Sequence, residues 1–312
     1  MRKDFLSICD LSDQELEEVL ELGAALKSGH GVGKALEGKC AALLFEKPSL
    51  RTKVSFEVGV AQLGGTAIYL GKDEVGLGVR ESVEDVARVL SRYVSLVIIR
   101  TFSHSLLEKF AAAAEAQVVN ALTDLLHPCQ VVADLLTIKE LRGSIEGRVV
   151  AYVGDGNNVA NSWLNAVRRG NFTLRMATPA ECRPSAAIAD AALREAPERV
   201  LLTQDPSEAV SGADVVYTDV WVSMGEEAKA EEKRRLLSDY QVNARLLRQA
   251  RPDAIVMHCL PAKRGEEITD EVLDGPQSAA LLQAENRLHA QKALMVRLAE
   301  RRFGLTPDPP SV

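Results

Sequence analysis

Short apolar runs alternate with helical patterns along the whole chain, and this alternation limits the possible folds more than any other feature. Each run reads as a strand, and apolar residues at helical spacing follow it. The runs lie at residues 41–45, 66–70, 96–99, 118–119, 149–153, 173–177, 200–203, 215–217 and 254–257. Because fully apolar strands joined by helices form parallel sheets with both faces covered, the sequence predicts an α/β fold with doubly wound parallel sheets.

The length of the chain indicates two domains. A chain of 312 residues exceeds the commonest domain size. A break in the helical pattern at 141–147 separates two sets of strands, so we predict domains at 1–142 and 143–312. In the second domain we expect helices at 158–169, 185–195 and 228–250, and a C-terminal helix at about 284–302 that packs back on the first domain.

Composition excludes several classes of protein. A net charge of -7 argues against a nucleic-acid-binding surface, which would be basic. The sequence contains no apolar run of membrane-spanning length, and its N-terminus leads into no signal core, so we expect a cytoplasmic protein. The five cysteines are an odd number without a C-x-x-C pair, which indicates neither a disulfide framework nor a zinc site.

The segment after the first strand has the residues of a phosphate site. Pro48 and Ser49 suit the entry of a helix, whose first N–H groups and positive dipole end bind oxyanions. Thr52 adds a hydroxyl donor, and Arg51 adds a planar fork that can hold two phosphate oxygens. Arg100 follows the strand at 96–99 directly, where a parallel sheet presents its ligands, so it is a second candidate for an anion.

Three polar segments of the second half also follow predicted strands. They lie at 154–158, 219–225 and 258–262. One such cluster is typical of turns, but three at the carboxyl edge of one sheet favour a small-molecule site.

Together these residues resemble the ornithine carbamoyltransferase family over essentially the whole chain. The motifs that carry the resemblance are Ser49-Leu50-Arg51-Thr52, His127-Pro128-Cys129-Gln130, Asp219-Val220-Trp221-Val222-Ser223-Met224-Gly225, His258-Cys259-Leu260-Pro261-Ala262 and Ala284-Glu285-Asn286-Arg287-Leu288-His289-Ala290. The first two mark carbamoyl phosphate binding, and the next two point to the ornithine enzyme.

The resemblance implies transfer of the carbamoyl group of carbamoyl phosphate to the side-chain amine of L-ornithine, which gives citrulline and phosphate. It implies a step of arginine metabolism, no metal or other cofactor, an active site in the cleft between the domains, and a homotrimer or a multiple of trimers. Carbamoyl phosphate would contact Ser49, Leu50 (through its backbone), Arg51, Thr52, Arg100, His127, Gln130, Cys259, Leu260 and Arg287. Ornithine would contact Asn158, Asp219, Ser223 and Met224, and the catalytic residues would be Arg100, His127 and Cys259.

The sequence departs from the family pattern at three positions. Leu50 and Lys53 stand where the phosphate motif usually has a small polar residue and an arginine. Because the backbone N–H of residue 50 is the expected ligand, leucine serves there as well. Gly76 stands where many relatives have a glutamine that reaches a neighbouring subunit.

Three other kinds of protein fit the sequence less well. A nicotinamide-dependent dehydrogenase would need a third glycine where Val159 stands after Gly154 and Gly156. A cysteine hydrolase built on His258 and Cys259 is disfavoured because adjacent strand residues point to opposite faces. An interaction-only homologue would be expected to lack an anion ligand. Within the family, aspartate, putrescine or an acylated ornithine are alternative amine acceptors.

Overall fold

The computed structural model describes residues 4–30 and 33–304, which form two compact units. The N-terminal unit comprises the chain up to residue 136 together with the chain from residue 285, and the central unit comprises residues 137–284. In the described part of the chain, no helix is both long enough and apolar enough to cross a bilayer.

The N-terminal unit is built on a four-stranded parallel sheet in the order β2-β1-β3-β4. Its elements are α1 (Asp13–Lys27), β1 (Cys40–Phe45), α2 (Leu50–Gln62), β2 (Thr66–Gly71), α3 (Lys72–Val75), α4 (Val83–Tyr93), β3 (Leu96–Arg100), α5 (His104–Ala113), β4 (Gln117–Leu122) and α6 (Pro128–Arg142), after a 3-10 turn at Ile8–Asp10. Since β1 and β3 are neighbours, with Phe45 paired to Arg100, the segments that follow them emerge side by side.

The central unit is built on a five-stranded parallel sheet in the order β7-β6-β5-β8-β9. Its elements are β5 (Val149–Val153), α7 (Asn158–Ala166), β6 (Thr173–Ala177), α8 (Ala186–Glu195), β7 (Val200–Thr203), α9 (Pro206–Val210), β8 (Val215–Thr218), α10 (Ala230–Leu237), α11 (Ala244–Leu247), β9 (Ile255–His258) and α12 (Asp270–Leu273), with 3-10 turns at Ala180–Cys182, Glu227–Lys229 and Ser238–Tyr240. The last helix, α13 (Ala280–Phe303), enters the N-terminal unit at residue 285.

Three aromatic side chains pack together at β5 and β8 in the core of the central unit. Tyr152 of β5 stacks on Tyr217 of β8 with ring centroids 5.7 Å apart, and Trp163 of α7 meets Tyr217 edge-on at 5.5 Å. All three side chains are fully buried. Aromatic contacts of this kind stabilise a core beyond their buried area.

The structure confirms the predicted fold class, with two parallel sheets each flanked by helices. Every predicted strand is present. The single helix predicted at 228–250 is wrong: α10 ends at Leu237, and Val242 leaves the helical path to donate its N–H to Glu267 O at 2.8 Å. The segment between β2 and α4 contains the short α3. The division between the units falls inside α6 and α13, while the boundary at 142/143 stays a prediction.

Candidate active site

The predicted phosphate motif of the N-terminal unit opens α2. Ser49 is the N-cap, and its hydroxyl accepts a hydrogen bond from the Thr52 N–H at 3.3 Å. Thr52 is buried, whereas the Leu50 side chain is 76% exposed. The first N–H groups of any helix lack partners within the helix. This end of α2 therefore offers backbone N–H donors to an anion. The Leu50 side chain is not one of the donors.

Three arginines meet around His127 in this unit. The Arg100 side chain is almost fully buried, and its pKa is lowered to about 10 by burial and by the charges of Arg287 and Arg51. Burial and the charges of Arg287, Arg100 and Arg51 also hold the pKa of His127 well below its ordinary value. His127 is thus neutral at pH 7, with one ring nitrogen protonated. Since like charges repel, such a cluster favours an anion.

A hydrogen-bond network orients Arg287 within this group. Its Nη1 donates to Gln130 Oε1 at 2.6 Å, and its Nη2 lies 3.5 Å from Thr52 Oγ1. Gln130 in turn donates to Asp134 Oδ1 at 2.8 Å. Gln291, one turn after Arg287, accepts from Arg287 Nη2 at 2.8 Å when its amide oxygen faces the guanidinium. Hydrogen bonds thus join three predicted residues, Thr52, Gln130 and Arg287. Three more predicted residues, Arg51, Arg100 and His127, lie close enough for the charges of the arginines to act on His127.

Sequence reasoning missed the residues that support this cluster. Asp134 and Gln291 each lie one helical turn from a predicted site residue, Gln130 and Arg287, and that i, i+4 spacing was the available signal. The turn before α2 is also held in place. Lys47 is buried, pairs with Asp124, and lies 4.0 Å from the centroid of the Phe102 ring.

In the central unit, Asp219 is enclosed by hydrogen-bond donors. Its Oδ1 accepts from the Val220 N–H at 2.8 Å and from Cys259 Sγ at 2.9 Å, and its Oδ2 accepts from Asn157 Nδ2 at 2.7 Å. The Asp219 residue is 6% exposed. Asp219 and Cys259 lie at the ends of the neighbouring strands β8 and β9, so the structure brings together two of the predicted residues.

Asn157 makes the side-chain contact with Asp219. Its neighbour Asn158 is the residue that the family resemblance assigns to ornithine. Asn157 is the N-cap of α7, and its Oδ1 accepts from the N–H groups of Val159 and Ala160 at 2.9 and 3.2 Å. With its oxygen used by the cap, the amide has only its NH₂ left for Asp219. Asn158 is the first residue of α7 and is half-buried.

The other predicted residues of the central unit lie on two loops. Ser223 is half-buried, and its N–H donates to Glu226 Oε2 at 3.3 Å, while Met224 is 47% exposed. Leu260 has a φ of 56°, in the left-handed region that side chains disfavour. Its N–H donates to His258 Nδ1 at 2.9 Å, which holds this turn after β9.

Asp219, His258 and Cys259 come close enough together to suggest a metal site, because their ligand atoms lie within 4.8 Å of one another. However, His258 uses both ring nitrogens for protein contacts: Nδ1 accepts from Leu260, and Nε2 is 3.0 Å from Glu267 Oε1. A metal ligand needs a free lone pair, so these three residues are not a ligand set as they stand.

The departure at Gly76 has a backbone cause. Gly76 ends α3 with a φ of 58°, and a Cβ there would lie 3.1 Å from Arg80 Cβ. A glutamine at this position would be strained in this conformation. The glycine therefore belongs to the turn that α3 makes here.

Comparison with known proteins gives the same assignment for both units. The model of the aspartate/ornithine carbamoyltransferase carbamoyl-P binding domain matches residues 3–140, and that of the Asp/Orn binding domain matches residues 146–298.

Relatives and solved structures match over nearly the whole chain. An ornithine carbamoyltransferase of Syntrophus aciditrophicus (strain SB) is 53% identical over 95% of this chain and 99% of its own. One of Methanoculleus marisnigri is 52% identical, with 96% and 97% covered. The structure of ornithine carbamoyltransferase from Pyrococcus furiosus has a TM-score of 0.89 and 46% identity over 94% of this chain and 95% of that one. The chain therefore belongs to the aspartate/ornithine carbamoyltransferase family, and these three relatives, which match it over nearly its whole length, are ornithine carbamoyltransferases.

Proposed function

We propose that this protein transfers the carbamoyl group of carbamoyl phosphate to the δ-amine of L-ornithine, giving L-citrulline and phosphate. The observation that carries the proposal is the buried hydrogen-bonded group of Arg287, Gln130 and Thr52 beside the N-terminus of α2, close to the charges of Arg51 and Arg100. It offers positive charge and backbone donors for a phosphate. The relatives at 53% and 52% identity are named ornithine carbamoyltransferases, which supports ornithine as the acceptor.

In the reaction, the amine nitrogen bonds to the carbamoyl carbon, the bond from that carbon to the phosphate oxygen breaks, and the nitrogen loses a proton. We assign the departing phosphate to Ser49, the Leu50 backbone, Arg51, Thr52 and Arg100. His127, Gln130, Arg287, Cys259 and the Leu260 carbonyl hold the carbamoyl group. Donors fixed in advance around developing negative charge are the largest single source of catalysis in many enzymes.

The amine needs a proton acceptor. An alkyl amine has an ordinary pKa of about 10.4, so very little of it is unprotonated at pH 7. We assign ornithine to Asn158, Asp219, Ser223 and Met224. We assign the amine proton to Cys259 in its thiolate form, which requires that Sγ first loses to solvent the proton that it donates to Asp219 Oδ1 at 2.9 Å.

Formation of the ureido product from carbamoyl phosphate, measured colorimetrically with a panel of amines, tests the proposal. We expect turnover with L-ornithine and much slower turnover with N-acetyl-L-ornithine, putrescine and aspartate. The panel includes the acetylated substrate because a similar structure, at 31% identity, is that of an N-acetyl-L-ornithine transcarbamylase. Faster turnover of another amine than of ornithine would overturn the assignment.

Arg51→Ala is expected to weaken carbamoyl phosphate binding by at least about tenfold, because a hydrogen bond to a charged group contributes about 1.5–3 kcal/mol. The melting temperature without ligand should stay unchanged or rise slightly, since Arg51 repels Arg100. Calorimetric titration measures the affinity. Arg88→Ala, an exposed arginine paired with Asp85 on α4, is the matched control. Wild-type affinity in Arg51→Ala would remove Arg51 from the site.

We propose a homotrimer as the assembly. Leu50, Val54 and Val58 recur every four residues on α2 and are exposed, and Ile68 is exposed on β2, which is an edge strand of its sheet. An exposed apolar stripe beside an open strand edge is typical of an interface.

Val54→Asp is expected to dissociate the trimer, because it places a charge in the middle of this stripe. Light scattering after size exclusion should give three times the 33.8 kDa chain mass for the unmutated protein and a lower mass for the variant. Leu193→Asp, an exposed leucine on α8, is the control that should leave the mass unchanged. A monomeric unmutated protein would contradict the proposal.

We also propose a cytoplasmic location. All five cysteines lie in the described ranges as thiols, which suits a reducing compartment.

A further inference from the structure

Lys233 of α10 connects the two loops that carry the ornithine residues of the central unit. Its Nζ lies 2.7 Å from Asp155 Oδ2 and 2.6 Å from Glu226 Oε2. Asp155 lies in the loop after β5, and Glu226 lies in the loop after β8. A single ammonium group thus bridges two loops that are distant in sequence.

On the β8 side, the bridge reaches the backbone of a predicted ornithine residue. Glu226 Oε2, the oxygen that Lys233 contacts, also accepts from the Ser223 N–H at 3.3 Å. The position of Ser223 therefore depends on where Lys233 holds the Glu226 carboxylate.

In the loop after β5, the bridge is connected to Asp219 through Asn157, which donates a hydrogen bond to Asp219. The Tyr152 hydroxyl donates to the Asp155 carbonyl at 2.9 Å and lies 3.2 Å from Asn157 Oδ1. Asn157 donates to Asp219 at 2.7 Å. The Asp155 segment is thus linked by hydrogen bonds to the carboxylate assigned to the ornithine amine.

The ion pair is costly to bury. The Asp155 and Lys233 side chains are 6% and 12% exposed, and burial raises the pKa of Asp155 to about 6 although Lys233 opposes that rise. Apolar residues of similar volume often replace a buried ion pair without loss of stability. A contribution to stability is therefore a weak explanation for this pair, and a requirement for position is a stronger one.

We propose that Lys233 is a positioning residue for ornithine, which fixes Ser223 through Glu226 and Asp219 through the Asp155 segment. Lys233 itself touches no substrate. The inference rests on the assignment of ornithine to Asp219 and Ser223 above.

The test compares the KM for ornithine with kcat and with the affinity for carbamoyl phosphate. We expect Lys233→Met to raise the KM for ornithine about tenfold, a change that corresponds to about 1.4 kcal/mol, while kcat and the affinity for carbamoyl phosphate change less than about twofold. Lys233→Arg, which keeps the charge, should restore most of the KM. Lys229→Met is the matched control, because Lys229 is exposed and lies one helical turn earlier in the chain.

Glu226→Gln gives a second measurement if Lys233→Met folds poorly. Glu226 is partly exposed, so its substitution buries no new charge, and it should raise the KM for ornithine in the same direction. Unchanged KM in both variants would overturn the inference, as would a fall in kcat and melting temperature that Lys233→Arg does not restore. Asp219→Asn is measured in parallel to separate failure of the Lys233 inference from failure of the ornithine site. If Asp219→Asn uses ornithine normally, the assignment of the ornithine site has failed.

Discussion

Asp219→Asn is expected to lower kcat/KM for ornithine by at least about thirtyfold, because removing one partner of a buried charge pair costs about 2–5 kcal/mol. The change removes the charge that we assign to the ornithine ammonium. It also disturbs the protein's own contacts, since three donors meet at the two carboxylate oxygens. An amide replaces one of those acceptors with an NH₂ group, which opposes a donor. Citrulline assays at saturating carbamoyl phosphate measure the loss.

The carbamoyl phosphate site gives an internal control for this variant. The residues assigned to the phosphate belong to the N-terminal unit, whereas Asp219 belongs to the central unit. Calorimetric affinity for carbamoyl phosphate should therefore match that of the unmutated protein. Asp190→Asn makes the same change at an exposed position on α8 and should leave both properties intact. Efficient citrulline synthesis by Asp219→Asn would show that another group receives the amine.

Sequence patterns predicted the fold well because the strands carry an unambiguous local signal. Runs such as Leu96–Ile99 are apolar throughout, and the structure buries every residue of β3. The helix predicted at 228–250 failed because its break is decided far away in sequence. Leucines at 236, 237, 246 and 247 suit one continuous helix, but Val242 pairs with Ile268 and Asn243 caps a new helix. Contacts between distant segments override local propensity in this way.

The sequence predicted those residues of the candidate site that belong to a recognisable motif. It did not predict the contacts between them. Arg287 and Gln130 are far apart in sequence, yet their side chains meet at 2.6 Å. Neighbouring asparagines show the limit of such reasoning. Asn157 and Asn158 have identical chemistry, and only the geometry of the α7 N-cap decides that Asn157 is the one facing Asp219. The Asp155–Lys233 pair had no local signal, because the two residues are 78 positions apart and only the fold brings them together.

Cys259→Ser is expected to lower kcat about a hundredfold, within the range that a positioned proton acceptor contributes. A thiol ionises at an ordinary pKa of about 8.5 and can accept the amine proton as a thiolate, whereas a serine hydroxyl cannot. Serine nevertheless keeps a donor for Asp219 Oδ1, which lies 2.9 Å from Sγ. The fold and the affinity for carbamoyl phosphate should therefore be unchanged, and kcat as a function of pH is the measurement.

Cys182→Ser is the matched control. Cys182 is a buried cysteine of the same unit, and burial raises its pKa to about 11, so it is not ionised near neutral pH. Its substitution should leave kcat and the pH profile intact. Alkylation of the unmutated protein should inactivate it through Cys259, and carbamoyl phosphate with norvaline, which lacks the reacting amine, should protect it.

Cys259→Ala completes the set because it removes the donor as well as the thiolate. If the thiol accepts the proton, the serine and alanine variants lose kcat to a similar extent. If serine keeps the wild-type kcat and pH profile while alanine does not, the function of Cys259 is to hold Asp219 through its hydrogen bond. The amine proton must then go to Asp219 or to solvent. In that case Asp219→Asn should have a lower kcat than Cys259→Ala.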